Sequence, residues 1–415
     1  MKIAFLVDVF PKLSETAILH QITGLLECGH EVDIFAVARG QEAVVHADVD
    51  KYRLLQRTYY VELPRSKWGR FFSALGILLT KFRYNPTTVV RTLNVFRFGR
   101  QAASLWLLHL VAPFLGKGPY EVIHCQFGPN GNRALLLEEL GAIGGKIITT
   151  FRGYDLSSYL HRHGQHVYDR LFARADLLCC VCASMKEKLI ELGCDERKIV
   201  VHRSGVDTKR FTVRPSTLSE NGKVRVLTIA RLVEKKGVQY GIQAVGMLLQ
   251  RYPQLEYRIV GEGPLQEELR RLITSLGADT RISLLGWKRQ DEVIDLLQHS
   301  DILVAPSVTS ENGDEEGVPG VVMEALACGV PVVSTYHSGI PEVVQDGQSG
   351  FLVPERDVPA LADKLAYLID HPQQRVAMGQ VGRRFVEEHC NLSTLNDRLV
   401  SLYQQVCHAR PAPSI

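Results

Sequence analysis

The chain has 415 residues, 46% hydrophobic and 22% charged, with a formal net charge of +3. This is an ordinary soluble globular composition, too long for one hydrophobic core, so two domains are expected. Nine cysteines, an odd number spread through a long chain, exclude a disulfide scaffold and point to a reducing compartment.

The opening run "MKIAFLVDVFPKLSETA" is short in apolar residues and interrupted by Asp8 and Pro11, unlike a secretion signal. No apolar run reaches the roughly 18 to 20 residues that span a bilayer. A cytosolic chain is expected, with peripheral contact to the inner face of the cell membrane as an option. "KIAFLVDVF" reads as a buried strand, followed by a helix from about Ser14 to Cys28, a stop at Gly29 and a second strand "EVDIFAVA". Strand, helix, strand at this spacing is a βαβ unit of a parallel sheet.

From Leu63 to Tyr120 the chain has no Asp or Glu, but it holds Arg65, Lys67, Arg70, Lys81, Arg83, Arg91, Arg97, Arg100 and Lys117. Trp68, Phe71, Phe72, Leu78, Leu79, Phe82, Phe96, Trp106 and Leu107 are interleaved. Cations with large apolar groups suit an anionic membrane surface. A helical insertion packed on its own domain is the alternative. No groove-reading motif accompanies the cations, so nucleic acid is not expected.

Alternation resumes with strands at "VIHCQF", "KIITTF", "DLLCCVCA" and "KIVVHRSG" and a helix at "RALLLEELG". Cys179 and Cys182 read as part of a buried strand rather than a redox or metal pair. Residues 1–210 then make one doubly wound domain. The polar stretch "VDTKRFTVRPSTLSENGK", with Pro215, Asn221 and Gly222, reads as a linker. A second series, "KVRVLTIA", "EYRIVG", "RISLLG", "DILVAPS", "PVVSTY" and "GFLV", makes another α/β domain over 211–388, and 389–415 follow as a helical segment. The fold class is α/β, two Rossmann-like doubly wound domains facing across a cleft. Ligands of such sheets bind beyond the C-terminal strand ends.

Chemistry should therefore lie in the loops after strands. Arg231 ends the first strand of domain two and Lys236 precedes Gly237 in "ARLVEKKG"; two such cations can neutralise a diphosphate. "IVGEGP" offers Gly261 and Gly263 for close backbone approach, with a helix opening at Pro264. In "SENGDEEGVPGVVMEALACG" a loop leads into a helix beginning at Pro319 or Gly320 and stopping at Gly329. N–H groups near Pro319 to Val322 would face the cleft and favour an anion. Glu316 and Glu324 flank that site, each able to accept hydroxyl protons from one end of a ligand. Glu311, Asp314 and Glu315 have no assigned role.

Glu316-x7-Glu324 after Pro306-Ser307 resembles the signature of family-4 retaining glycosyltransferases of GT-B fold. So do "ARLVEKKG", "VGEGPL", "LLGW" and "HSGIPEVVQDGQSGFLVPERD", and in the first half "HCQFG", "TTFRGYDLS" and "VVHRSGVDTKRF". "FPKLSET" and "RGYDLS" resemble members that build exopolysaccharides of the colanic-acid type. The resemblance implies a metal-independent transferase moving a sugar from a UDP- or GDP-sugar to a saccharide or lipid-linked acceptor, with no cofactor. It implies that Arg231 and Lys236 stabilise the leaving diphosphate and that Glu316 holds the donor sugar and Glu324 the ribose. Gly317, Val318, Pro319, Gly320 and Val321 would touch sugar and phosphate, with Gly263, Trp287, Lys12 and Ser14 completing the donor site. Arg152, Asp155 and His124 fall on the acceptor and sugar side. The C-terminal helix would cross back onto the first domain. The chain departs from the family at Arg152 and Gln126, where His is usual or frequent. An epimerase or phosphorylase of the same fold, or a two-lobed sugar-binding protein, are the alternatives. An oxidoreductase lacks its G-x-G-x-x-G after the first strand.

Overall fold

A computed structural model describes residues 1–41, 45–213 and 223–409. The buried apolar runs pair as two parallel sheets. The first holds β1 (Lys2–Phe10), β2 (Glu31–Arg39), β3 (Thr58–Tyr60), β4 (Val122–Gln126), β5 (Lys146–Phe151), β6 (Leu177–Cys180) and β7 (Ile199–Val201), in the order β3-β2-β1-β4-β5-β6-β7. The second holds β8 (Val224–Ile229), β9 (Leu255–Val260), β10 (Ile282–Leu284), β11 (Ile302–Ala305), β12 (Val332–Thr335) and β13 (Gly350–Val353), ordered β10-β9-β8-β11-β12-β13. The strand order reverses between β1 and β4 and between β8 and β11. These are the points where a crevice opens at the C-terminal strand ends. The α/β, doubly wound class read from the sequence is the observed one.

Several details depart from the sequence reading. Cys179 lies in β6, but Cys182 has left the strand and precedes a helix. Both thiols are free and buried, and burial pushes Cys179 up to about 12. The helix expected at Pro264 starts later, at Gln266. Of the polar linker, Pro215, Asn221 and Gly222 lie outside the described residues. Its first part is packed: Val206 and Phe211 are buried, and Arg383 donates to the Thr208 carbonyl at 2.9 Å. The C-terminal helical stretch is broken. One helix spans Pro372–His389 and another Leu392–His408, with Asn391 capping the second through Ser393 N at 3.0 Å.

The 63–120 segment folds as helices between β3 and β4. One side is core: Ala74, Val89, Leu107 and Leu108 are buried, and Leu78 and Trp106 pack against them. The other side is not. Trp68, Phe72, Leu75 and Leu79, spaced to share one face of helix Lys67–Lys81, are 75%, 64%, 45% and 79% exposed. Packing therefore accounts for half of this insertion's apolar residues.

Helix Leu392–His408 lies on the first domain. Tyr403 and His124 are fully buried, with the tyrosine hydroxyl 2.6 Å from His124 Nδ1 and Thr150 Oγ1 2.7 Å from Nε2. Asn396 Nδ2 donates to the His20 carbonyl at 3.4 Å. Gly24 makes this approach possible, because a Cβ there would meet Asn396 Nδ2 at 1.8 Å. Tyr403→Phe strands a buried ring nitrogen, which should cost about 1–3 kcal/mol. A lowered unfolding midpoint in urea checks this; an unchanged midpoint would show that the helix does not tie down the first domain through this bond.

Candidate active site

The two sheets face each other across a cleft of about 860 Å³, in the range of small-molecule sites. The loops after β1, β5, β8 and β11 feed it, as the strand order requires.

The loop after β8 is pinned by Gly237, at φ +60, where a Cβ would strike the Pro306 carbonyl oxygen at 1.9 Å. That contact seats Lys235 and Lys236 against the loop after β11. Lys236 Nζ lies 3.0 Å from Glu316 Oε2 and Lys235 Nζ 3.3 Å from Oε1. Lys235 also pairs with Asp314 at 2.9 Å. Burial opposes ionisation of Glu316, but Lys236 and Lys235 together outweigh it and hold the carboxyl down at about 2. The Glu316 backbone is fixed as well: its N–H donates to His337 Nε2 at 3.1 Å, and His337 Nδ1 meets Glu355 Oε1 at 2.6 Å. Arg231 lines the same cleft and has no ion-pair partner among the described residues.

Helix Gly320–Ala327 starts after Pro319. Pro319 has no N–H, and Val322 N–H is taken by the Pro319 carbonyl at 3.1 Å. The expected anion site at 319–322 thus narrows to the N–H groups of Gly320 and Val321. Glu324 lies one turn further in and borders the cleft. Its carboxylate accepts no hydrogen bond from a described residue, and burial pushes it up to about 7.

Gly317, Val318, Gly320, Val321, Trp287, Lys12, Ser14 and Arg152 also border the cleft. Three expected residues do not. Gly263 packs instead against the Leu232 carbonyl oxygen, 2.4 Å from where its Cβ would be; Gly261 reaches the cleft in its place. His124 faces inward to Tyr403. Asp155 is fully buried and binds the N–H groups of Gly128, Arg152 and Gly153 at 3.1, 3.1 and 2.9 Å. It shapes the turn that presents Arg152. Sequence reasoning missed Lys235, His337 and Glu355. Lys235 carried a signal, as neighbour of Lys236; His337 and Glu355 lie within the quoted stretch "HSGIPEVVQDGQSGFLVPERD", where neither had been given a role.

His20, His46 and Asp48 cluster beside the cleft. Both His46 ring nitrogens are engaged, one by Asp48 N–H at 3.2 Å and one by Gln290 Oε1 at 2.6 Å.

The raised Glu324 carboxyl has a sign that can be checked. Its contribution to stability is whole below its ordinary value of 4.5 and lost as pH rises through about 7. Glu324→Gln, neutral at every pH, should leave the thermal midpoint unchanged near pH 4.5 and raise it at about pH 8.5. Equal shifts at both pH values would contradict the burial account.

Comparison with known proteins identifies the family and the fold. Residues 14–210 match the family described as Glycosyltransferase Family 4, and residues 209–385 that described as Glycosyl transferases group 1. The chain is 37% identical over 407 residues to the Escherichia coli K12 protein named colanic acid biosynthesis glycosyltransferase WcaL, covering 97% of this chain and 100% of that one. It is 35% identical over 413 residues to the amylovoran biosynthesis glycosyltransferase AmsK of Erwinia amylovora, covering 98% and 100%. The fold matches that of Anabaena Alr3699/HepE in complex with UDP-glucose, with a TM-score of 0.72, 19% identity and coverage of 98% and 100%. The two sheets, the cleft between them and the full-length likeness lead to one assignment: the chain belongs to the family-4, group 1 glycosyltransferases and has their GT-B fold.

Proposed function

We propose that the enzyme moves a sugar from a nucleoside diphosphate sugar to a saccharide or lipid-linked saccharide, with retention of configuration, in the assembly of a cell-surface polysaccharide. The observation that carries this reading is Arg231, a cation without an ion-pair partner among the described residues, in the cleft that holds the Lys236–Glu316 pair and the start of helix Gly320–Ala327. The names of WcaL and AmsK, and the UDP-glucose bound to Alr3699/HepE, support the substrate class.

In this reading the diphosphate lies between Arg231, Lys236 and the N–H groups of Gly320 and Val321. The bond from the anomeric carbon to the phosphate oxygen breaks, and negative charge grows on the diphosphate. Cations and dipoles already aimed at that charge lower the barrier without reorganising, so the charge balance does not call for a metal ion. The acceptor hydroxyl attacks from the face the phosphate leaves, and its proton passes to a phosphate oxygen. Glu316, held ionised, orients the sugar hydroxyls. Glu324 receives the ribose hydroxyls, and Trp287 stands at the base end. The Arg231→Ala, Lys236→Ala double variant should lose about a hundredfold or more in kcat, by analogy with removal of oxyanion-type donors. Transfer at the wild-type rate, measured with labelled donor, would remove the mechanism.

The exposed stripe of helix Lys67–Lys81 supports work at an anionic lipid surface. No helix among the described residues is long and apolar enough to cross a membrane. Each large apolar side chain immersed at the interface contributes about 1.5–3 kcal/mol, and the neighbouring Arg65, Lys67 and Arg83 add attraction to anionic headgroups. Changing Trp68, Phe72 and Leu79 to Ser should abolish sedimentation with phosphatidylglycerol vesicles while leaving transfer to a soluble acceptor intact. Unaltered sedimentation would exclude this surface.

A further inference from the structure

Arg152 follows β5 and borders the cleft. All of its side-chain partners are neutral. Nε donates to Gln126 Oε1 at 2.8 Å, one terminal nitrogen to Gln21 Oε1 at 2.9 Å and the other to Ser204 Oγ at 3.5 Å. Both glutamines are buried and joined to each other, Gln126 Nε2 donating to Gln21 Oε1 at 3.1 Å. The acids whose charges act on Arg152 are Glu15 and Asp155, and both are committed elsewhere. Glu15 pairs with Lys12 at 2.5 Å, and Asp155 is filled by the backbone N–H groups of its own turn. A guanidinium has five N–H donors; three are used here, and two have no partner among the described residues. Burial pulls this arginine down to about 10, as it does any cation without a paired anion.

Its place in the cleft is also set. A Cβ on Gly317 would lie 2.7 Å from the Arg152 carbonyl oxygen, and one on Gly153 would lie 3.1 Å from that of Glu315. The Arg152 turn therefore abuts the loop that carries Glu316. The cations proposed for the diphosphate, Arg231 and Lys236, come from the other domain and the loop after β8.

We propose that Arg152 is the receptor for a carboxylate borne on a sugar ring, so that this enzyme handles a uronate-type sugar, either as the group transferred or as the acceptor. The inference rests on the nucleotide-sugar reading above. A planar guanidinium with free N–H donors matches a carboxylate in charge and in shape. A neutral sugar hydroxyl would leave the buried charge uncompensated. Gln21 and Gln126 suit this role, because they fix the orientation of the fork without consuming its charge.

Titration calorimetry on the full chain tests this with UDP, GDP, UDP-glucose, UDP-glucuronate, GDP-mannose and GDP-mannuronate. A second arm holds the nucleotide that binds at saturation and compares methyl glucuronoside with methyl glucoside. The expected result is a preference of about tenfold or more for the uronate in one arm, the gain of a charge-assisted hydrogen bond; the arm that shows it identifies donor or acceptor. Arg152→Gln should erase that preference and leave the affinity for the bare nucleotide within about twofold. Arg152→Lys keeps the charge without the fork and should retain part of it, which decides the question if the Gln variant does not fold. Equal binding of uronate and neutral sugar in both arms, or a preference that stays undiminished in Arg152→Gln or Arg152→Lys, overturns the proposal. So does a loss in Arg152→Gln that extends to the bare nucleotide, since the guanidinium would then serve the diphosphate. If no nucleotide or conjugate binds the wild-type chain, the nucleotide-sugar reading itself fails, and this inference with it.

Discussion

Two lysines share one carboxylate beneath the start of helix Gly320–Ala327, and the site is arranged around that contact. Glu316 is half-buried between Lys235 and Lys236, where an unpaired charge would be costly. Asp314 is the second carboxylate, 2.9 Å from Lys235. Within this cluster the two cations and two carboxylates balance. Arg231 is left over: it lines the cleft with no ion-pair partner among the described residues. The same contact explains backbone features that would otherwise look unrelated. Gly237 must be a glycine for the lysine loop to reach Pro306, and His337 with Glu355 holds the Glu316 N–H from behind. A residue 39 positions beyond Glu316 thus takes part in placing it.

The second domain does not build the site alone. Glu342 accepts the N–H groups of Ala183 and Ser184 at 2.6 and 3.2 Å and pairs with Arg203 at 3.2 Å, so an acid of one domain caps a helix of the other. A carboxylate at a helix N-terminus is favourable in itself. Glu315 N–H reaches Ser157 Oγ at 3.3 Å, and Lys188 lies 3.6 Å from the Glu315 carboxylate. The acidic residues flanking Glu316 are therefore not simply a solvated loop: Asp314 balances a lysine and Glu315 touches the facing domain. The C-terminal helix returns to the first domain through Tyr403 and Asn396. The chain from Arg152 through Gln126 to His124 and Tyr403 links the cleft to that helix by hydrogen bonds at 2.8, 3.3 and 2.6 Å.

Much of this was legible in the residues. Strands buried on both faces read as continuous apolar runs, and all the strands expected in the two domains are present. The helix start at Pro319 and Gly320 and the flanking positions of Glu316 and Glu324 follow from local chemistry that needs no tertiary knowledge. What was hidden depends on long-range packing. His124 has the residue type of a site but its ring is turned into the core, because Tyr403, 279 positions away, supplies its partner. Gly263 looked like a ligand-facing glycine, yet it makes room for the Leu232 carbonyl. In helix Lys67–Lys81 the sequence shows large apolar residues among cations, but only the fold shows which of them stay uncovered. Lys235 and Lys236 are adjacent in "EKKG", and spacing alone could not tell that both meet Glu316.

Hydrogen–deuterium exchange with and without the nucleotide sugar reads out whether the ligand sits between the two domains at the Lys236–Glu316 pair. Added protection is expected in 231–237, in 315–324 and in the Arg152 turn together. Protection confined to other segments, or binding that leaves 315–324 exchanging as in the free enzyme, would contradict that placement.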